Sequence, residues 1–379
     1  GVYLWDVDGN KYLDMVSAYS AVSHGHSHPE LVNTIKEQAE KLSITSRAFY
    51  TEPFADFLES ITKITGYENV LTMNTGAEAV ETAIKAARRW GYFTKGIKEN
   101  KAEIIVADGN FHGRTTTIVG FSSEDSYKDG FGPFSEGFVT AKFCWSGCSL
   151  EESIKSFKSK INKNTCAILV EPIQGEAGIR VPDKGWLKEL RKICDSENIL
   201  LILDEIQSGL GRTGKLFAYE HEDIFPDGLI LGKALGGAMM PISAFLSSKE
   251  IMSHFNSGSH GSTFGGNPLA SKVATKALEL LYKDSLIENS KILGDYFISA
   301  LKSIDNKIIK EVRGKGLWIG MELNKSKINA KDLCLMLLNE GLLCKETHKS
   351  VIRFAPPLMI SKDQLDWAIN KIIRVISSI

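Results

Sequence analysis

Long hydrophobic runs are missing from this 379-residue chain. The longest, such as Ile199 to Leu203, are strand-sized and far short of the roughly 20 residues that a bilayer-spanning helix needs. Blocks of Lys or Arg are missing too, and with a formal net charge of -1 at pH 7 the chain offers no basic stripe for nucleic acid or an anionic lipid surface. Neither is expected as a partner. Cysteine is scarce: six residues without zinc-like clustering are too few for a disulfide scaffold at this length, so a reducing interior is expected. The expected compartment is the cytoplasm, with the mitochondrial matrix as the alternative should a targeting segment precede Gly1. Arginine is also rare, 10 residues against 35 lysines, which gives weight to each Arg in a suggestive context.

What is present is a globular composition, 43% hydrophobic and 24% charged, long enough for two domains or for one with a sizeable appendage. Val2–Trp5 and Lys11–Leu13 flank the turn Asp8-Gly9-Asn10 and read as an antiparallel ribbon. Pro29–Leu42 and Pro53–Ile64 carry helical spacing behind an N-terminal Pro. Strand candidates then follow at Val70–Met73, Glu103–Ala107, Cys166–Val170, Ile199–Leu203, Leu229–Leu231 and Ile242–Leu246. They are interleaved with helical segments such as Ala77–Trp90, Trp186–Asp195 and Pro268–Tyr282. That alternation predicts an α/β unit with a mostly parallel sheet covered on both faces. After the helical stretch Ser285–Ile304, strands at Lys310–Arg313, Leu317–Met321 and Val351–Phe354 and helices at Lys331–Asn339 and Lys362–Ile376 predict a smaller α+β domain. The expected division is a large domain over 51–284 and a small one built from 1–50 and 285–379.

The stretch Leu201–Pro241 carries the chemistry. One apolar strand ends in Asp204, a second ends in Gly232-Lys233, and residues at the carboxyl ends of such strands face a ligand crevice. A carboxylate and an amine offered to one pocket suit pyridoxal phosphate, which needs a lysine to hold its aldehyde and a carboxylate to keep its pyridine nitrogen protonated. Taken singly, Asp204 is as readily a cap and Lys233 a solvated loop residue; the glycines and Pro226-Asp227 between them favour the shared pocket.

The run D-E-x-x-x-G-x-G-R-T-G from Asp204, then F-x-P-D ending at Asp227, then G-K-A-L-G-G from Gly232, resembles the signature of the class III, or ω-type, aminotransferases. That resemblance implies the fold-type I architecture of pyridoxal-phosphate enzymes and a homodimer with shared active sites. It assigns Lys233 and Asp204 to catalysis, with Gln207, one helical turn beyond Asp204, on the ring hydroxyl. In Asn74-Thr75-Gly76-Ala77-Glu78-Ala79, Thr75, Gly76 and Ala77 would receive the cofactor phosphate at a helix start. Phe111, in Asn110-Phe111-His112-Gly113-Arg114, would stack on the ring. Ser262 and Thr263, in the segment Gly261–Pro268, would serve the phosphate of the neighbouring subunit.

Within that family, further segments resemble the ornithine aminotransferases over essentially the whole chain. Ile352-Arg353-Phe354-Ala355-Pro356-Pro357 implies that Arg353 grips the carboxylate next to the keto group of 2-oxoglutarate. Glu171-Pro172-Ile173-Gln174-Gly175-Glu176-Ala177-Gly178 implies that Glu176 pairs with Arg353 while an ω-amine is bound, so that ornithine enters amine-end first. In Ser17-Ala18-Tyr19-Ser20-Ala21-Val22, Tyr19 would help define the ornithine pocket, and Arg114 would take the distal α-carboxylate. The implied reaction passes the δ-amine of L-ornithine to 2-oxoglutarate. Acetylornithine or 4-aminobutyrate as donor, an aminomutase, and a non-catalytic scaffold remain as alternatives.

Two other features stand out. His24, His26 and His28 alternate as ligands on an extended segment would, although the family's G-H-x-H-P segments are not metal sites and no metal is expected. Cys144 and Cys148 stand in what resembles an insertion, and two close thiols there invite a redox pair served by a thiol reductant.

Overall fold

The computed structural model describes residues 1–324 and 327–379. Strands β1 (Tyr3–Trp5) and β2 (Lys11–Asp14) form the expected antiparallel ribbon. Seven strands then build the main sheet: β3 (Asn69–Met73), β4 (Glu103–Ala107), β5 (Phe138–Ala141), β6 (Thr165–Val170), β7 (Leu200–Asp204), β8 (Gly228–Leu231) and β9 (Ser243–Ser247), in the order β3-β9-β8-β7-β6-β4-β5. The pairs from β8 through to β5 are parallel, whereas β9 runs antiparallel to both β3 and β8. Strands β6 to β9 are buried along their whole length because helices cover both faces. Alternate residues divide between two cores. Ile105, Ile168, Leu201 and Leu203 join one, while Ile104, Leu169 and Ile202 meet Ala79, Val80 and Ala83 of the helix Gly76–Phe93 in the other.

The remaining strands are β10 (Ile309–Gly314), β11 (Ile319–Leu323), β12 (Leu342–Leu343), β13 (Lys345–Thr347) and β14 (Val351–Phe354). Four of them make an antiparallel sheet in the order β10-β11-β14-β13, and β12 pairs with β2, which ties the two chain ends together. The helix Pro29–Lys41 instead lays Leu31 on Val273, Ala277 and Leu280 of the helix Pro268–Lys283.

Arg212, in the loop between β7 and β8, joins these parts. Its side chain is fully buried, and burial, opposed by distant Asp14, pulls its pKa down to about 9. Nη1 donates to the carbonyls of Leu317 (3.1 Å) and Pro356 (2.6 Å), and Nη2 donates to Ser23 Oγ (2.9 Å). Truncation would leave two buried carbonyls without donors. Arg212→Met is expected to lower the free energy of unfolding by about 3 kcal/mol, read from a shifted denaturant midpoint; an unchanged midpoint would show that water takes over those bonds.

Candidate active site

Parallel strands deliver their carboxyl ends to one side of the sheet, and the loops leaving β3, β4, β6, β7 and β8 meet there. They line a cavity of about 200 Å³ with Gly76, Ala77, Phe111, His112, Glu171, Asp204, Gln207 and Lys233. The cofactor-facing residues expected on one chain are thus brought together, with the exception of Thr75.

Lys233 follows β8 with φ +46°, a left-handed conformation that costs an ordinary residue about 1 kcal/mol or more and persists only where the surroundings enforce it. No described group lies within hydrogen-bonding distance of its amine. Burial lowers its pKa to about 8, partly opposed by Glu176 and Asp204. Asp204, at the end of β7, accepts from the Ile206 N–H (3.0 Å) through Oδ1, while its Oδ2 lies 2.7 Å from Nδ1 of buried His112. Burial alone would depress the His112 imidazole, but the Asp204 carboxylate more than offsets it and raises the pKa. The opposite nitrogen, Nε2, is buried without a partner among the described residues. Glu171 is buried too and accepts from the N–H groups of Phe111 (2.9 Å) and Gly175 (3.2 Å); burial pushes its carboxyl up to about 7. Neither His112 nor Glu171 was given a role in the sequence reading, though both stand inside the motifs quoted there.

The donor set fits pyridoxal phosphate. At the helix start, Thr75 is consumed by a capping box: its Oγ1 accepts from Glu78 N (3.2 Å) and its N–H donates to Glu78 Oε2 (2.7 Å). The first-turn N–H groups of Gly76 and Ala77, which have no intrahelical partner, remain for an anion. A Cβ at Gly76 would stand 2.9 Å from Ile206 Cδ1, so glycine lets this helix start approach the floor of the pocket. Gln207 stands in successive turns rather than on a helix. Ser262 accepts from Asn74 Nδ2 (2.7 Å), whereas Thr263 is exposed and outside the lining of its own chain's cavity.

Beyond the amine, Arg353 on β14 is buried, and its Nη1 donates to a carboxylate oxygen of Glu176 in a short ion pair. The guanidinium carbon of Arg353 lies 4.7 Å from the centre of the Tyr19 ring. Tyr19 belongs to a run of four left-handed residues, Ser17 to Ser20, with φ between 45° and 74°. Asp14 Oδ1 anchors its entry by accepting from Val16 N (2.8 Å) and Ser17 N (2.9 Å). Arg114 is exposed and lies against Tyr127 (4.2 Å) and Phe111 (5.6 Å), a stack in which Tyr127 was not anticipated.

The three alternating histidines have separate partners: His24 reaches the Ala277 carbonyl (2.9 Å), His26 reaches Asp14 (2.7 Å) and His28 reaches Asp284 (3.1 Å). Cys144 is buried and Cys148 half-buried, beside a separate cavity; burial raises both thiols, Cys144 to about 11.

Residues 1–376 match the family aminotransferase class-III. The ornithine aminotransferase of Macrococcus caseolyticus is 55% identical over 377 residues, which span 100% of this chain and 92% of that protein. Among solved structures, the ornithine aminotransferase of Toxoplasma gondii ME49 superposes with a TM-score of 0.95 at 40% identity, covering 100% of this chain and 89% of that one. A further structure of the Toxoplasma gondii enzyme holds PLP at partial occupancy in its active site. The acetylornithine aminotransferase of Elizabethkingia anophelis gives 0.87 at 44% identity, covering 100% and 92%.

Proposed function

Because the chain belongs to the class-III aminotransferases, we propose that it transfers the δ-amino group of L-ornithine to 2-oxoglutarate, giving glutamate 5-semialdehyde and glutamate in two half-reactions. When bound, pyridoxal phosphate supplies an aldehyde that takes up the amino group and a ring that accepts the electron pair left on the donor carbon. Gly76 and Ala77 would hold its phosphate, Phe111 and Gln207 its ring, Asp204 its ring nitrogen and Lys233 its aldehyde. Asp204 is oriented by His112. Lys233 Nζ, desolvated and with its pKa brought down to about 8, would take the proton from the donor carbon and return it to the carbon that the cofactor's aldehyde supplies.

The observation that carries the choice of donor is the ion pair of Glu176 with Arg353 beside Lys233. While Glu176 occupies the guanidinium, an α-carboxylate finds no cation next to the reacting amine, so a donor enters by a terminal amine. Its distal carboxylate can then meet Arg114, and the Tyr19 ring walls the space between. 2-Oxoglutarate, with no amine to present, must displace Glu176 and take Arg353 through a paired hydrogen bond. The test is one turnover of the loaded enzyme with ornithine and no keto acid, then with 2-oxoglutarate. One equivalent of trapped cyclised semialdehyde followed by one of glutamate is expected; reaction with acetylornithine or 4-aminobutyrate instead would overturn the donor assignment.

Loading of pyridoxal phosphate onto the cofactor-free chain should rise about tenfold between about pH 7 and about pH 9 and then level, following the neutral fraction of an amine with a pKa of about 8. A rise continuing past about pH 10 would mean that Lys233 behaves as an ordinary lysine.

The same reading takes the chain as a homodimer of cytoplasmic location, with 51–284 as the large domain and both chain ends as the small one. Support for the dimer comes from Thr263, which is exposed and does not line its own chain's cavity, and from the exposed Phe49, Tyr50 and Phe264 nearby. The Cys144 and Cys148 pair is retained as a site for a thiol reductant, although thiols raised by burial react slowly.

A further inference from the structure

Glu176 lies on a turn, not on a helix or strand, and a carboxylate on a free turn would visit Arg353 only part of the time. The turn is closed by Gly178 N–H and Ile179 N–H donating to the Gly175 carbonyl (3.1 and 3.2 Å), and is framed by the bridge between Gln174 and Arg180. Two side chains from outside also hold it. Arg313 donates twice to the Gly178 carbonyl, from Nε (3.1 Å) and Nη2 (2.9 Å), and Thr347 Oγ1 donates to the Glu176 carbonyl (2.7 Å).

Both tethers come from the sheet that carries Arg353. Arg313 on β10 faces Gly320 on β11, which in turn faces Arg353 on β14, so the two arginines stand in one cross-strand row and point to the same side. Two strand spacings put their backbones about 10 Å apart. The residue between them has to be small: a Cβ at Gly320 would stand 2.9 Å from the Gly178 carbonyl oxygen, and so would lift the turn.

The two arginines differ in freedom. Arg313 Nη1 is engaged by Glu311 (2.9 Å) and Glu322 (2.7 Å), and the Trp145 ring stacks 4.6 Å from its guanidinium carbon. Every part of the group is committed, so it is a fixed clamp. Among the described residues Arg353 has one ion-pair partner, Glu176, and it is the group that another anion can address.

We infer that Arg313 is a specificity-determining positioning residue: by clamping Gly178 it keeps Glu176 on Arg353, and so sets the preference for a terminal amine donor over an α-amino acid. The inference rests on the donor reading above. With the clamp in place, unmasking Arg353 needs only rotation of the Glu176 side chain, and the carboxylate returns to the same spot. Without the clamp, the turn drifts and Arg353 stands open to α-carboxylates.

The test compares single-turnover rate constants for ornithine and for glutamate on the loaded holoenzyme. Arg313→Lys keeps the charge that Glu311 and Glu322 require but cannot make two donations to one carbonyl, and Thr347→Val removes the other tether without touching Arg313. In each, the ratio of ornithine to glutamate reactivity should fall, by about tenfold in Arg313→Lys, the worth of a hydrogen bond to a charged group, with Glu176→Gln marking the full extent of the loss. Parallel loss of both half-reactions, or a ratio in both variants within about twofold of the parent, is what a merely structural arginine would give and overturns the assignment while leaving the donor reading intact. A Glu176→Gln enzyme with the parent ratio overturns the donor reading, and the inference with it.

Discussion

Lys233→Ala is expected to lose amino transfer from ornithine to 2-oxoglutarate by about 10⁴-fold, the upper end of what a positioned acid-base group supplies, since the same amine also holds the cofactor. The site contains no substitute. His112 is tied to Asp204, and Glu171 accepts two backbone N–H groups at fixed geometry. Arg353 is paired with Glu176. Among the described residues no other lysine lines the cavity. The measurement is single-turnover rate with and without added methylamine: a small amine that enters the space of the missing side chain should restore part of the proton transfer. A variant within about tenfold of the parent would mean that the proton travels by another group.

The main sheet was legible in the sequence because its central strands are apolar runs that read the same whichever sheet face each residue takes. All six strand segments that the sequence suggested for this sheet are strands, with ends that move by about one residue. The unnamed ones fail for physical reasons. Phe138–Ala141 is an edge strand of four residues with only Ala141 buried, and Leu342–Leu343 and Lys345–Thr347 are too short for any period to register. The mostly parallel direction followed from the alternation of strands and helices, but the reversal of a single strand within the sheet was not legible. That β9 enters antiparallel between β3 and β8 depends on the path of the chain around the sheet and not on the composition of the strand. Nor could Ser17 to Ser20 have been read as a left-handed turn, since none of the four is glycine and the conformation is imposed by Asp14 and the surrounding packing.

In the site, residues at strand ends were the readable ones, because topology sends all such ends to one crevice. Asp204, Lys233, Phe111, Gly76 and Ala77 meet there as expected. The capping box at Thr75 was legible too: Thr75-x-x-Glu78 spells it, and it commits the hydroxyl and the N–H of Thr75 to Glu78. His112 and Glu171 were harder, since each acts through contacts between different strands. His112 touches a residue 92 positions away, and Glu171 one 60 positions away. Spacing along a chain carries no record of such pairs.

Arg353→Ala should cut kcat/KM for 2-oxoglutarate by about 10²- to 10³-fold, the usual cost of removing one partner from a buried, hydrogen-bonded charge pair. The ornithine half-reaction should fall much less, because a donor that enters by its terminal amine never uses this guanidinium. It should nevertheless change its pH dependence. Burial is the main cause of the lowered Lys233 pKa; Arg353 adds to that lowering, and Glu176 works against it. Deleting Arg353 removes one lowering influence and leaves Glu176 unpaired beside the amine, so the Lys233 pKa moves up from about 8. The neutral fraction near pH 7 shrinks accordingly, and the ornithine rate should regain the parent value only at higher pH. Single-turnover rates for each substrate across the pH range separate the two effects. Equal losses on both substrates with an unshifted profile would mean that Arg353 supports the fold of the site instead of reading the keto acid.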